Sequence, residues 1–231
     1  PDLAVVVAYG RILRPDVLSV HKLGCLNAHF SLLPKYRGAA PVQWSLVNGE
    51  TKTGVTLFWL DEGMDTGRIQ AVATADIGID EDAPGLLARL TALGVGLLGR
   101  ELRELEAGRI TRTPQEGAAT MAPLIKREDA RLDLTQDALA VHNRVRGFRS
   151  WPRASLAKDL ILKTALASPS DPPGKGVPGT VLSIERPRGI LVECGSRSRL
   201  WFLEVQSEGK KPLAAVDFAN GRRLAVGSVL S

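Results

Sequence analysis

Residues 3–7, Leu-Ala-Val-Val-Val, form an unbroken apolar run rich in β-branched side chains that stops at Tyr9-Gly10. A strand apolar at every position offers no face to water, so it belongs in a parallel sheet covered on both sides. That run therefore places the first part of the chain in the α/β class. It also opens two residues after Pro1, so the chain reads as starting inside a fold.

The pattern that follows supports the class. Pro15-Asp16 begins a short helical stretch, Gly24 restarts the chain into a strand over residues 25–30, and Pro41 suits the first turn of a helix that Asn48-Gly49 stops. Residues 54–60 and 69–77 read as two strands joined by the turn 61–67, expected to pair as a hairpin. An acidic cap at Asp80–Asp82, with Pro84 just inside, starts a long helix whose stripe runs from Leu86 and Leu90 through Leu97 to Leu105 and ends at Gly108. Residues 110–127 lack periodicity and read as a surface linker. One further helix, carrying Val141, His142, Val145 and Phe148, precedes short strands separated by Asp, Pro, Gly and Lys turns, the pattern of a small β-barrel. The expected organisation is 1–109, a linker over 110–127, and a second domain over 128–231.

Charge divides along the same seam. Residues 1–110 hold 11 Lys+Arg against 13 Asp+Glu, and residues 111–231 hold 19 against 12. A basic second half suits a polyanionic partner. No apolar run reaches the roughly 18–20 residues that cross a bilayer, so a soluble, non-membrane protein is expected. Cys25 and Cys194 are the only cysteines and form no CxxC or Cys/His cluster, which disfavours a disulfide framework or a zinc site and suits a reducing compartment.

Two short segments can carry chemistry. Asn27 and His29 stand two apart on a strand, hence on one face, at the end where open α/β sheets bind ligands. The turn Asp61-Glu62-Gly63-Met64-Asp65-Thr66-Gly67 sets three acids among glycines that admit close backbone approach. A carboxylate from it can orient a histidine and favour the imidazolium. An amide, an imidazole and a carboxylate without an adjacent Ser or Cys nucleophile suit attack on a carbonyl by the substrate's own amine, with the trio holding an oxyanion and moving protons. His142, on an apolar helix face, is expected to be packed rather than catalytic, and the tryptophans Trp44, Trp59, Trp151 and Trp201 are expected to be core anchors.

The segment Leu26-Asn27-Ala28-His29-Phe30-Ser31-Leu32-Leu33-Pro34-Lys35-Tyr36-Arg37-Gly38-Ala39-Ala40-Pro41, with Thr53–Thr56 and Asp65-Thr66-Gly67, resembles the folate-dependent formyltransferases. The likeness continues through residues 126–133, 140–148, Trp151-Pro152 and Gly209-Lys210-Lys211, segments that single out the branch acting on initiator methionyl-tRNA. The resemblance implies a Rossmann-like core lacking its N-terminal part, followed by an OB-like barrel that contacts tRNA. It implies a catalytic trio of Asn27, His29 and Asp65, with protonated His29 and Asn27 holding the oxyanion. It implies that Ser31, Leu32, Leu33 and Pro34 form part of the tetrahydrofolate site, with backbone near Val7–Gly10 close to the pterin. Contacts to tRNA would come from Arg37, Arg144, Arg146, Arg149, Lys210 and Lys211. The formyl donor would be 10-formyltetrahydrofolate, without a metal, in a cytoplasmic monomer. This chain alone is expected to be poorly active, because the first strands of the sheet would be missing. Two rival readings are a formyltransferase acting on an amino-sugar nucleotide, and a catalytically silent nucleic-acid-binding protein.

Overall fold

A computed structural model describes residues 1–11 and 13–230. The chain divides into two compact units, Pro1–Ser45 with Glu50–Ile125, and Leu46–Gly49 with Lys126–Ser231.

The first unit is built on a four-stranded sheet of β1 (Leu3–Val7), β2 (Gly24–His29), β4 (Lys52–Trp59) and β5 (Ile69–Asp76), in the order β1-β2-β4-β5. The helix α1 (Pro15–Leu18) joins β1 to β2, and the two-residue strand β3 (Arg37–Gly38) precedes α2 (Pro41–Val47), which ends where Gly49 takes φ 73°. The sheet is mixed rather than parallel. Only β1 and β2 run parallel; β2 with β4 and the β4–β5 hairpin are antiparallel. The expectation that residues 3–7 are covered on both faces also needs correction. Among the described residues β1 pairs with β2 alone, and Val5 and Val7 are 42% and 49% exposed.

The long helix α3 (Ala83–Glu106) packs on β4 and β5. Asp82 caps it, its side chain accepting from Gly85 N at 3.0 Å, and Pro84 sits in the first turn. Leu86, Leu90, Leu97 and Leu105 are buried at helical spacing, each contributing about 2 kcal/mol. Glu101 lies on the same face, its carboxylate accepting from Gln70 Nε2 and Arg100 Nε at 3.0 Å each.

The stretch read as a surface linker is tied to this unit as far as Ile125. Ile69 and Thr113 exchange backbone hydrogen bonds, Trp59 Nε1 donates to Thr111 O at 2.8 Å, and β6 (Met121–Ala122) pairs in parallel with β3. Residues 111–122 thus form a strap along the unit, held mainly by backbone groups that leave no trace in side-chain periodicity.

The second unit carries α4 (Ala138–Gly147), then β7 (Ser155–Leu156), β8 (Asp159–Leu166), β9 (Val181–Glu185), β10 (Gly189–Glu193), β11 (Arg199–Ser207), β12 (Leu213–Ala214) and α5 (Ala215–Arg222). The sheet order is β7-β8-β11-β10-β9, with β12 added to β11. Its β7 and β9 margins are not paired to each other among the described residues, so the sheet is an open antiparallel one and not a closed barrel. Leu134, Val141, Val145, Ile190, Phe202 and Ala219 belong to its core. His142 is packed as expected, 2% exposed with Nδ1 3.0 Å from Thr164 Oγ1. Trp59 and Trp201 are core anchors, but Trp151 is 53% exposed, in the turn that follows α4. Among the described residues no helix is long and apolar enough to cross a membrane.

Replacing Leu90, fully buried on α3, with Ala is expected to destabilise the first unit by about 2–5 kcal/mol, while Val95→Ala on the exposed face changes stability by less than about 0.5 kcal/mol. Urea unfolding of the two variants checks the contrast.

Candidate active site

The strand β2 carries Asn27 opposite Val6 of β1 and His29 opposite Thr56 of β4. Beyond His29 the chain bends back in a turn whose polar groups are satisfied internally. Ser31 Oγ donates to Lys35 O at 2.6 Å, Thr56 Oγ1 donates to Ser31 O at 2.7 Å, and Leu33 N donates to Thr56 Oγ1 at 3.2 Å. The bend returns Tyr36, at φ 62°, so that its carbonyl accepts from His29 Nε2 at 2.8 Å. A carbonyl can only accept, so Nε2 carries the proton and Nδ1 is the titrating nitrogen.

Nδ1 faces Asp65 Oδ2 at 3.6 Å. Asp65 belongs to the turn between β4 and β5 and takes φ 53°, an uncommon conformation for a residue with a side chain. Two interactions hold it there. Gly38 N donates to Oδ2 at 2.7 Å, and Gln115 Nε2, on the strap, donates to the Asp65 and Gly67 carbonyls at 2.8 Å each. Gly38 is required where it stands, because its φ is 121° and a Cβ there would lie 2.7 Å from Ala122 O. In the turn itself Asp61 Oδ1 accepts from Gly63 N and Thr66 Oγ1 at 3.0 and 2.6 Å.

Asn27, His29 and Asp65 line one cavity of about 370 Å³. Its walls include Val6, Tyr9, Arg11 and Leu18 on one side and Leu60, Asp61 and Met64 on the other. The volume lies in the range of small-molecule sites, with apolar walls and a few convergent polar groups. The backbone near Val7–Gly10 therefore reaches the cavity. Ser31, Leu32, Leu33 and Pro34 are not among the residues lining it. They form the buried bend that brings the Tyr36 carbonyl to His29, and the Ser31 hydroxyl is spent inside that bend.

His29 is 6% exposed and stacks edge-on against Phe58, ring centroids 6.3 Å apart. Burial pushes its pKa below 6.5, against smaller upward contributions from Asp65 and the Tyr36 carbonyl. Burial thus works against the imidazolium that the resemblance implies, and Asp65 and the Tyr36 carbonyl work for it. Neither cysteine is a nucleophile: burial raises Cys25, and burial with nearby Asp137 and Glu193 raises Cys194 to about 12. Among the described residues no group of His, Cys, Asp and Glu could hold a metal.

The residues singled out for tRNA fall into two kinds. Arg146 is 6% exposed and donates through Nε to Asn143 Oδ1, Arg144 reaches Asp129 O, and Arg149 donates to Leu162 O and pairs with Glu204. The inward spacing of α4 turns these side chains into internal braces. Arg37 is bound to Gln115 Oε1 through Nε and Nη2 at 3.2 and 2.7 Å. Lys210 and Lys211 are exposed in the turn between β11 and β12.

Sequence reasoning missed the Tyr36 carbonyl, the Gly38 N–H and Gln115. The first two are backbone groups present in every residue, and Gln115 sits in a stretch without periodicity.

A paired histidine and carboxylate beside an amide on one cavity, with no Ser or Cys side chain among the described residues lining it, suit proton transfer and oxyanion stabilisation in a transferase. The comparisons agree with that class: the chain belongs to the formyl transferase family, with residues 1–101 matching Formyl transferase and residues 124–223 matching Formyl transferase, C-terminal domain. It is 48% identical over 222 residues to the methionyl-tRNA formyltransferase of Solibacter usitatus, covering 95% of this chain and 70% of that protein. Among solved structures it is similar to HypX from Aquifex aeolicus in complex with tetrahydrofolic acid, at TM-score 0.70 and 24% identity, over 98% of this chain and 40% of that one. It is also similar to an N-formyltransferase from Helicobacter canadensis in complex with folinic acid and dTDP-3-aminofucose, at TM-score 0.66 and 21% identity, over 82% of this chain and 69% of that one.

Histidine NMR is expected to show His29 titrating below 6.5, and Asp65→Asn is expected to lower the value further, because the carboxylate's upward contribution is lost.

Proposed function

We propose that this chain belongs to an enzyme that transfers the formyl group of 10-formyltetrahydrofolate to the amino group of initiator methionyl-tRNA. The observation that carries the reading is the convergence of Asn27, His29 and Asp65 on one cavity in a chain 48% identical to a methionyl-tRNA formyltransferase.

Each residue's part follows from its geometry. The folate supplies the activated formyl carbon, and the backbone of residues 8–11 with the turn 60–65 forms the cradle for its heterocycle. Asn27 donates from its side-chain amide to the oxygen that becomes negative as the methionyl nitrogen bonds to that carbon. Neutral His29 accepts at Nδ1 the proton that the amine gives up, since Nε2 is committed to Tyr36 O. Asp65 stabilises the imidazolium so formed across the 3.6 Å gap. His29 then returns the proton to the folate nitrogen as its bond to the formyl carbon breaks, which leaves formylmethionyl-tRNA, tetrahydrofolate and an enzyme in its starting state.

The second unit is read as the tRNA-contacting domain, OB-like by resemblance. Within it Lys210 and Lys211 are the favoured phosphate contacts, because Arg144 and Arg146 on α4 and Arg149 just beyond it already have partners within the unit. The amino-sugar alternative draws on structural likeness at 21% identity, against 48% for the tRNA-directed relative.

Incubation of the full-length protein with 10-formyltetrahydrofolate and methionyl-tRNA, beside a nucleotide-linked amino sugar, tests the substrate class; formylation of the sugar alone would overturn the reading. Asn27→Ala and Asp65→Asn are each expected to lower turnover by about a hundredfold or more, and near-normal rates in both would remove the assigned roles. The rate should fall on acidification as His29 takes up a proton, with its midpoint below 6.5. Lys210→Ala and Lys211→Ala are expected to weaken tRNA binding and to reduce the slope of log K against log salt by about one each.

A further inference from the structure

We propose that Gln115 on the strap is a positioning residue for the transfer step, fixing the Asp65 backbone so that its carboxylate faces His29; the inference deepens the functional reading above and rests on it for its catalytic consequence. The side-chain amide of Gln115 is fully used. Nε2 donates to the carbonyls of Asp65 and Gly67 at 2.8 Å each, and Oε1 accepts from Arg37 Nε and Nη2 at 3.2 and 2.7 Å. The two carbonyls flank the turn where Asp65 takes φ 53°. A left-handed residue other than glycine persists only when its surroundings over-determine it. Here the surroundings are the Gly38 N–H on the carboxylate and the Gln115 amide on the backbone. The glutamine is itself anchored: Thr113, two residues earlier, exchanges backbone hydrogen bonds with Ile69, and the Arg112 guanidinium lies 4.3 Å from the centroid of the Trp59 ring.

Gln115 does not line the cavity and acts through Asp65. Its removal lets the Asp65 backbone relax, which lengthens the 3.6 Å approach to His29 Nδ1 and withdraws the charge that favours the imidazolium. The charged groups that share the cavity with His29 and Asp65 are Asp61 and Arg11, and Arg37 lies behind the glutamine.

Three variants of the full-length protein separate the two ends of the amide. Gln115→Met is close in volume and loses every hydrogen bond. Gln115→Glu keeps an acceptor for Arg37 but sets a carboxylate oxygen against the two carbonyls. Asp65→Asn is the reference. Histidine NMR on folded Gln115→Met is expected to show His29 titrating lower than in the unaltered protein, in the direction of Asp65→Asn, and the formyl-transfer kcat of both Gln115 variants is expected to fall roughly tenfold to a hundredfold with little change in KM. An unmoved His29 titration in Gln115→Met overturns the proposal, as does a normal kcat in Gln115→Glu beside a depressed one in Gln115→Met, which would assign the effect to Arg37. Should Gln115→Met fail to fold, Gln115→Asn, whose shorter amide cannot span both carbonyls, carries the same titration test. A shifted titration in a protein that transfers no formyl group to methionyl-tRNA supports the positioning and removes the functional reading instead.

Discussion

The hydrogen bond from His29 Nε2 to the Tyr36 carbonyl, 2.8 Å long and buried, governs the site. It fixes the tautomer, and with it the nitrogen that can exchange a proton, and it turns that nitrogen toward Asp65. Burial of the ring lowers its pKa, against upward contributions from Asp65 and the Tyr36 carbonyl. A protonated histidine could brace an oxyanion but could not also take up the proton released by an attacking amine. In the proposed reaction the first of these tasks falls to Asn27 and the second to His29.

Three separate pieces of chain must arrive together for that arrangement to exist. The strand β2 supplies the amide and the imidazole, the bend over Ser31–Pro34 supplies the carbonyl, and the β4–β5 turn supplies the carboxylate. The strap over residues 111–122 touches the last two: Thr120 accepts from Tyr36 N through Oγ1 at 2.9 Å, and Gln115 holds the carbonyls around Asp65. A segment with no hydrophobic face of its own thereby sets the distance between acid and base. Its order comes from backbone pairing with β3 and Ile69, an enthalpic tie that composition does not advertise.

In the second unit several basic side chains are tied to partners within the unit. Its arginines on and after α4 are drawn inward onto carbonyls, an asparagine and a glutamate, and Arg188 is taken up by buried Asp171, whose carboxyl it holds well below the usual carboxylate range. Arg144 and Arg146 lie three and four residues beyond the buried Val141 and His142, spacings that put each on its partner's helical face. Each guanidinium offers five donors, and the interior must satisfy them. The lysines of the β11–β12 turn have no such constraint and stay in solvent.

The sequence by itself determined the elements and the chemistry. The leucine period and the Asp82 cap define α3, two strand-like runs around the turn 61–67 define the β4–β5 hairpin, and the two-residue spacing puts Asn27 and His29 on one face, because these patterns reflect local geometry that each segment carries with it. It also carried the likeness to formyltransferases, through residues 26–41 and 65–67. Tertiary structure decided the remainder. The mixed sheet, the open sheet where a barrel was expected, the partners of Arg144 and Arg146, the lowered pKa of His29 and the reach of Gln115 all depend on backbone groups and burial set by distant parts of the chain. A carbonyl oxygen has no one-letter code, and a pKa belongs to the surroundings of a residue rather than to the residue, so neither could be read before the chain was folded.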